Sequence, residues 1–242
     1  MTPFRQSDRL AKARLMSRRR VDGDDPAARN WNRIGGLLAA VEREAGIPLA
    51  ASLAVWMVEC GGLPFTRGQP VLRFEPHIFF ARWGEQNAET FDRHFQYGGR
   101  NGIEGKRWEQ HRFRERDESD WARFHGDQST EYRALALAAK LGGEDTACLC
   151  ASFGGPQIMG FNHALVGYET ATAMRRAFAR SERWQVLAFL EFCAAKDIIR
   201  HLKSHDWLSF AAVYNGPGNA EAYAAKIAAA YDTARRLPGD AP

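Results

Sequence analysis

The sequence predicts a mainly helical α+β fold with a small β-hairpin or sheet and an irregular aromatic insert. Three observations carry that prediction. Apolar residues recur at helical spacing through most of the chain, with Gly or Pro at the joints. One short segment, residues 71–75, alternates as a strand does. Between residues 84 and 128 the composition turns polar, charged and aromatic, without a clear period. The 242 residues, 45% hydrophobic and 26% charged, suffice for one large domain with a full core. No apolar run approaches the length of a transmembrane helix, and no apolar segment follows the N-terminal basic residues as a secretory signal would require.

Residues 1–29 are expected to form a basic, flexible extension. Residues 1–20 hold seven basic side chains and one acid, a net +6, whereas the other 222 residues carry a net −2. Such a segment suits anionic lipid, nucleic acid or acidic polymer, or is simply solvated. Asp22-Gly23-Asp24-Asp25-Pro26 reads as its turn-rich end. The folded domain then spans residues 30–236, with the insert at about 84–128, and residues 237–242 form a frayed tail. Its first helix runs from about residue 31 to 45 and stops at Gly46; Pro48 opens a second that ends at Glu59 before Gly61-Gly62. Residues 63–73 read as a loop or a β-hairpin lip, with apolar character continuing through Ile78-Phe79-Phe80. Helices follow at 129–141 and 145–151, then a loop at 152–160. Further helices are read at 170–180, 182–195, 198–203, 207–214 and 220–236, with a tight turn at Asn215-Gly216-Pro217-Gly218.

The four cysteines, Cys60, Cys148, Cys150 and Cys193, form no C-x-x-C pair and have apolar neighbours, which suits buried reduced thiols. Cys60 with His77 or His163 is the one conceivable thiol-nucleophile pair. His201 and His205 share a helix face, but no third ligand accompanies them. Trp56, Trp83 and Trp108 are candidates to floor a sugar subsite, with core packing as the default for each.

Glu59 is the chemically suggestive residue. It is the lone carboxylate of an apolar helix and stands at that helix's negative end. Burial and the helix dipole both raise such a pKa, and an acid still protonated near neutrality can protonate a leaving group. The bland alternative is a half-exposed Glu partnered by an Arg.

Three motifs stand in order around it: Val58-Glu59-Cys60-Gly61-Gly62, Ser152-Phe153-Gly154-Gly155-Pro156-Gln157-Ile158-Met159, and Tyr214-Asn215-Gly216-Pro217-Gly218. Phe74-Glu75-x-His77 lies between the first two, and Gly160-Phe161-Asn162-His163 extends the second. Together they resemble the lysozyme-like superfamily, and within it the bacteriophage-endolysin type of N-acetylmuramidase, over about residues 31–235. The resemblance implies a lysozyme-like helical domain that cuts peptidoglycan between N-acetylmuramic acid and N-acetylglucosamine. It maps Glu59 onto the catalytic acid. Cys60 departs from the pattern, which usually has Ser there, and the span from Glu59 to Gln157 is long.

A glycosidase commonly uses a second carboxylate. Glu75 is the best-placed candidate, its alternative being an ion pair with Arg73 or His77. Residues expected to contact glycan are Phe74, His77, Phe153, Gln157, Met159, Asn162, His163, Tyr214 and Asn215. Gln157 offers both donor and acceptor, and its alternative role is to satisfy backbone groups of a connector. No metal and no organic cofactor is expected. The expected partner is the peptidoglycan glycan strand, with the basic N-terminal segment contacting anionic lipid or cell-wall polymer; no nucleic acid is expected, and the chain should be a monomer. It should be made in the cytoplasm and act at the cell wall or periplasm after release through a holin or a secretion system. Two other activities remain open: a lytic transglycosylase leaving anhydro-muramic ends, and a non-catalytic wall-binding module.

Overall fold

The structure, a computed structural model, describes residues 4–60, 63–123 and 125–238. It comprises two compact units: residues 1–64, 165–167 and 177–242 form one, and residues 65–164 and 168–176 the other. Gly61 and Gly62, read above as a helix stop, lie outside the described residues, as do residues 239–242.

The first unit begins with a one-turn helix, α1 (Asp8–Lys12), capped by Ser7. Helix α2 (Pro26–Ala45) starts where local chemistry says it should. The Asp25 carboxylate accepts from the Ala27 and Ala28 amides, and Pro26 fills the first turn. It ends at Gly46, whose φ of +64° is a left-handed cap. Helix α3 (Leu49–Glu59) is apolar on nearly every side and buried from Leu49 through Trp56, apart from Ala50.

The N-terminal segment is not the free tail expected from its charge. Phe4 and Leu10 belong to the core of this unit. Glu191 accepts the Phe4 and Arg5 amides at 2.9 and 2.7 Å. Asn32 brackets Val21 with two 2.9 Å hydrogen bonds, and the Trp31 indole donates to the Arg19 carbonyl. Gly36 explains how the segment lies so close to α2: a Cβ there would stand 2.4 Å from the Met16 carbonyl oxygen. Buried apolar side chains and paired backbone outweigh the charge because the charged side chains themselves point outward. Arg9, Lys12, Arg14, Arg18, Arg19 and Arg20 are all exposed.

The second unit opens with a short hairpin, β1 (Phe65–Thr66) and β2 (Gln69–Pro70), followed by β3 (Leu72–Phe74). Residues 78–80 do not extend the strand; they belong to α4 (Pro76–Arg82), which Pro76 initiates. The insert then folds as α5 (Ala88–His94) and a three-stranded antiparallel sheet of β4 (Phe95–Gln96), β5 (Arg112–Phe113) and β6 (Ala122–Arg123). Its aromatics share one core with β3 and α4. Phe74, Phe79, Phe91 and Phe95 are fully buried, and Phe95 lies 5.5–5.8 Å from each of the other three rings.

Helices α6 (Gln128–Gly142) and α7 (Glu144–Leu149) follow. Residues 152–160 are not the loop expected. β7 (Ala151–Phe153) and β8 (Ile158–Met159) form a hairpin, and β7 pairs with β3, so the described residues form three small sheets where at most one was expected. The register pairs Leu72 with Phe153 and Arg73 with Ser152, so Leu72, Phe74, Phe153 and Ile158 are buried. Gly160 ends the hairpin against α7, since a Cβ there would sit 1.8 Å from the Cys148 carbonyl oxygen.

Helix α8 (Ala171–Arg180) precedes α9 (Glu182–Ala195), α10 (Ile199–Ser204), α11 (Trp207–Tyr214) and α12 (Ala220–Ala234). In the first unit α3 packs against α2, α10 and α12, and α11 against α12. Leu237, read as frayed, packs on this core. No described helix is long and apolar enough to cross a membrane.

Candidate active site

Glu59 closes α3, the buried central helix of its unit. The six preceding residues are apolar, so the backbone carries the carboxylate to the edge of a core rather than to open water. Its Oε1 accepts a 2.9 Å hydrogen bond from the Asn215 side-chain amide. Asn215 follows α11 directly, and its own amide closes that helix on Ala211. Burial raises the Glu59 pKa from 4.5 to about 6, against the lowering effects of the Asn215 hydrogen bond and the Lys226 charge on α12. An N–H group facing Oε1 leaves that oxygen as acceptor, so the proton of the neutral acid belongs on Oε2.

Tyr214 lies beside it in an aromatic cluster with Phe189, Phe192 and Phe210, the ring centroids 5.6–5.7 Å apart. Burial pushes its hydroxyl pKa well up, and the Cys193 and Cys60 thiols and Glu59 add to the shift. Cys60 is buried, and burial pushes its thiol far above the usual range, with Glu59 and Glu182 contributing. A thiol held neutral in this way is no nucleophile, which removes the cysteine-dyad reading. Nor does residue 60, where a hydroxyl was expected, hold Glu59; the amide of Asn215 supplies the hydrogen bond.

In the second unit the β7–β8 hairpin holds several residues assigned above to glycan. Gln157 sits at φ +49°, accepts from Ser152 Oγ at 2.8 Å and donates to the Gly154 carbonyl at 2.7 Å. Its amide thus closes the hairpin, as in the connector reading. Phe74 and Phe153 are fully buried, so their expected contact with glycan is corrected: both are core residues. Met159 and Asn162 are half-buried, and His163 donates from Nδ1 to the Tyr168 carbonyl at 2.9 Å. Glu75 Oε1 accepts from Arg73 Nε at 2.7 Å, while Oε2 lies 3.5 Å from His77 Nδ1 and 3.7 Å from His111 Nδ1. Of the tryptophans, Trp56 is buried against Phe189, Trp83 stacks on Phe79, and Trp108 is exposed.

The family model for muramidases, described as N-acetylmuramidase, matches residues 48–235, more than three quarters of the chain. The chain belongs to the N-acetylmuramidase family. Membership makes it a peptidoglycan hydrolase, with peptidoglycan as its substrate. Its fold is similar to the crystal structure of the Burkholderia AP3 phage endolysin, with a TM-score of 0.61 at 28% identity over 82% of this chain and 69% of that one. No protein of curated function matches the chain.

Within this muramidase the structure joins Glu59, Tyr214 and Asn215 in one unit, and Glu75 and His77 in the other. Lys226 was not legible as part of the Glu59 environment. It is an exposed helix lysine in sequence terms, and only the packing of α12 on α3 gives it a role. His111, His125 and Glu131 were missed as well. His111 Nδ1 lies 2.5 Å from His125 Nε2, and His125 Nδ1 lies 2.8 Å from Glu131 Oε1. Glu131 also accepts the Phe74 amide at 2.8 Å. Burial lowers the pKa of His77, and that of His111 to about 3. His201 pairs with Asp206 and His205 packs on Trp207 and Tyr231, so the helix-face histidine pair is otherwise engaged.

Proposed function

We propose that the chain hydrolyses the bond between N-acetylmuramic acid and N-acetylglucosamine with Glu59 as general acid. The observation that carries this reading is a half-buried carboxyl with a pKa near 6, at a helix end, held through one oxygen by Asn215. Below that pKa, Oε2 carries a proton. Transfer of that proton to the glycosidic oxygen lets the C–O bond break with the electron pair staying on the departing sugar. Water then adds to the electron-poor anomeric carbon, and the proton it sheds returns to the Glu59 carboxylate. Asn215 favours the ionised form left after the first transfer, as a hydrogen bond to a charged group does. Burial favours the protonated form that starts the cycle. The two opposed effects hold the group near the pH at which it must change state.

Glu75 receives no step in this scheme. Arg73 holds one of its oxygens and two imidazoles face the other, which supports a structural duty. We also infer that the enzyme acts at the cell wall.

Two measurements test the reading. Glu59→Gln should abolish release of fragments from purified peptidoglycan while the circular dichroism spectrum is unchanged. Lysis that survives the substitution overturns the mechanism and leaves a wall-binding module as the alternative. Mass spectrometry of parent digests should find reducing N-acetylmuramic acid ends; anhydro-muramic ends would instead mark a lytic transglycosylase.

A further inference from the structure

We propose that Glu75, His77 and His111 bind a divalent transition-metal cation of the zinc class, which ties the insert to β3 and α4. One carboxylate oxygen of Glu75 and one imidazole nitrogen from each of His77 and His111 all lie within 4.8 Å of one another. Among the described residues no other group of three His, Cys, Asp or Glu side chains meets that condition. The sequence expectation of no metal ligands is the one this cluster would revise.

The spacing favours a metal over the simpler occupants. Glu75 Oε2 stands 3.5 Å from His77 Nδ1 and 3.7 Å from His111 Nδ1, too far for direct hydrogen bonds. Glu75 Oε2 and His77 Nδ1 are buried atoms without a hydrogen-bond partner among the described residues. A water bridging two such atoms at about 2.8 Å each, in tetrahedral geometry, would separate them by roughly 4.6 Å. A zinc ion at about 2.0–2.1 Å from each would separate them by roughly 3.4 Å. The two measured edges lie near the second figure.

The surroundings are those of a ligand set. Arg73 holds the other oxygen of Glu75 at 2.7 Å and so directs Oε2 inward. His111 Nε2 donates to the Arg107 carbonyl at 2.9 Å, which places that ring's proton on Nε2 and its lone pair on Nδ1. Ligands oriented by such outer partners are the usual arrangement at protein metal sites. His125 Nε2 is the hydrogen-bond partner of His111 Nδ1 at 2.5 Å, with His125 Nδ1 held by Glu131, and the ion would replace His125 at that nitrogen. His77 also lines an open depression with Ala81, Arg107 and Phe161. Two imidazoles and one carboxylate suit zinc-class ions and not magnesium or calcium, which prefer all-oxygen shells. Three protein ligands leave a position for water.

The ion would act as a staple. His111 immediately precedes β5 of the insert, whereas Glu75 and His77 flank the start of α4. Binding to the folded chain alone stabilises it by mass action.

The test uses full-length protein stripped with a chelator and titrated with zinc chloride. Calorimetry should find one site, and the melting temperature should rise on addition of Zn²⁺ and not of Mg²⁺. His77→Ala and His111→Asn should weaken zinc binding by roughly a hundredfold or more, since even outer-shell changes cost about 10–100-fold. His201→Ala/His205→Ala, which removes the other histidine pair, should leave it unchanged. The visible spectrum of the Co²⁺ form of the parent should show nitrogen–oxygen ligation, an outcome that needs no variant to fold. Absence of a saturable site in the parent overturns the proposal. So does zinc affinity that survives loss of His77 and His111 but disappears with His201 and His205. Neither failure touches the Glu59 mechanism, which is read by lysis.

Discussion

Asn215 and Lys226 set the charge on Glu59, and each leaves a mark on the pH profile. Both lower a pKa that burial has raised to about 6. Removing either stabilising partner of the carboxylate therefore raises the pKa further. For a general acid, activity falls as pH rises through that pKa. Asn215→Ala and Lys226→Met should thus move the alkaline limb of kcat/KM to higher pH. The Lys226 effect should shrink at high salt, because that lysine is exposed. A limb that stays in place or moves down would show that the titrating acid is not Glu59. The same shift has a consequence for stability. A folded pKa above the unfolded value of 4.5 means that the favourable contribution is complete below pH 4.5 and lost as pH climbs through about 6. Ionised Glu59 then costs about 1–2 kcal/mol at neutral pH, once its partial exposure is allowed for. Glu59→Gln should accordingly be more stable than the parent to urea at pH 7.5 and show no such gain at pH 4. Equal stabilities at pH 7.5 would contradict a buried, uncompensated charge.

Among the elements, the packing of the N-terminal segment on α2 is the contact most dependent on one small residue. A methyl group at Gly36 would meet the Met16 and Arg14 carbonyl oxygens at 2.4 and 2.7 Å, and backbone atoms cannot rotate away. Gly36→Ala should cost about 1–3 kcal/mol, as overpacking does, and loosen the segment. Limited trypsin digestion should then cut at Arg14 and Arg18–Arg20 far faster than in the parent; unchanged cleavage would mean that the segment is not held by this approach. That packing was invisible in the sequence because +6 of charge in twenty residues masks Phe4 and Leu10. Helices α2, α3, α9 and α11 were legible, since their caps and periodicity are local. The β7–β8 hairpin was not, since strands of three and two residues carry no usable alternation and the pairing partner β3 lies some eighty residues earlier. Motif order brought out Glu59 and Asn215 separately, the latter as a glycan contact; their hydrogen bond was not legible, because no local pattern links residues so far apart. The histidine cluster had neither a motif nor a period, its members at 75, 77, 111, 125 and 131 meeting only through the fold of the insert.

At the scale of the whole molecule the charge is divided between a packed basic N-terminal segment and a slightly acidic remainder. Fastening residues 4–25 to the body turns what composition suggested was a solvated tail into a fixed surface, with Arg9, Arg14 and Arg20 exposed on it. A fixed array of like charge attracts an anionic polymer without the entropic cost of ordering a free chain. We propose that this segment holds the enzyme on anionic wall polymer or lipid. The attraction acts over a screening length of about 8–10 Å at 0.10–0.15 M salt, and about 3 Å at 1 M. Arg9→Gln, Arg14→Gln and Arg20→Gln together would lower the net charge from +4 to +1 without touching a buried side chain. Sedimentation with anionic vesicles, and separately with purified cell walls, should show retention of the parent at low salt, release at high salt, and weaker retention of the triple variant on whichever surface is the true partner. Melting temperature and cleavage of soluble glycan fragments should be the same in both proteins, because neither depends on those side chains. Equal retention at every salt concentration would assign wall affinity to some other part of the molecule.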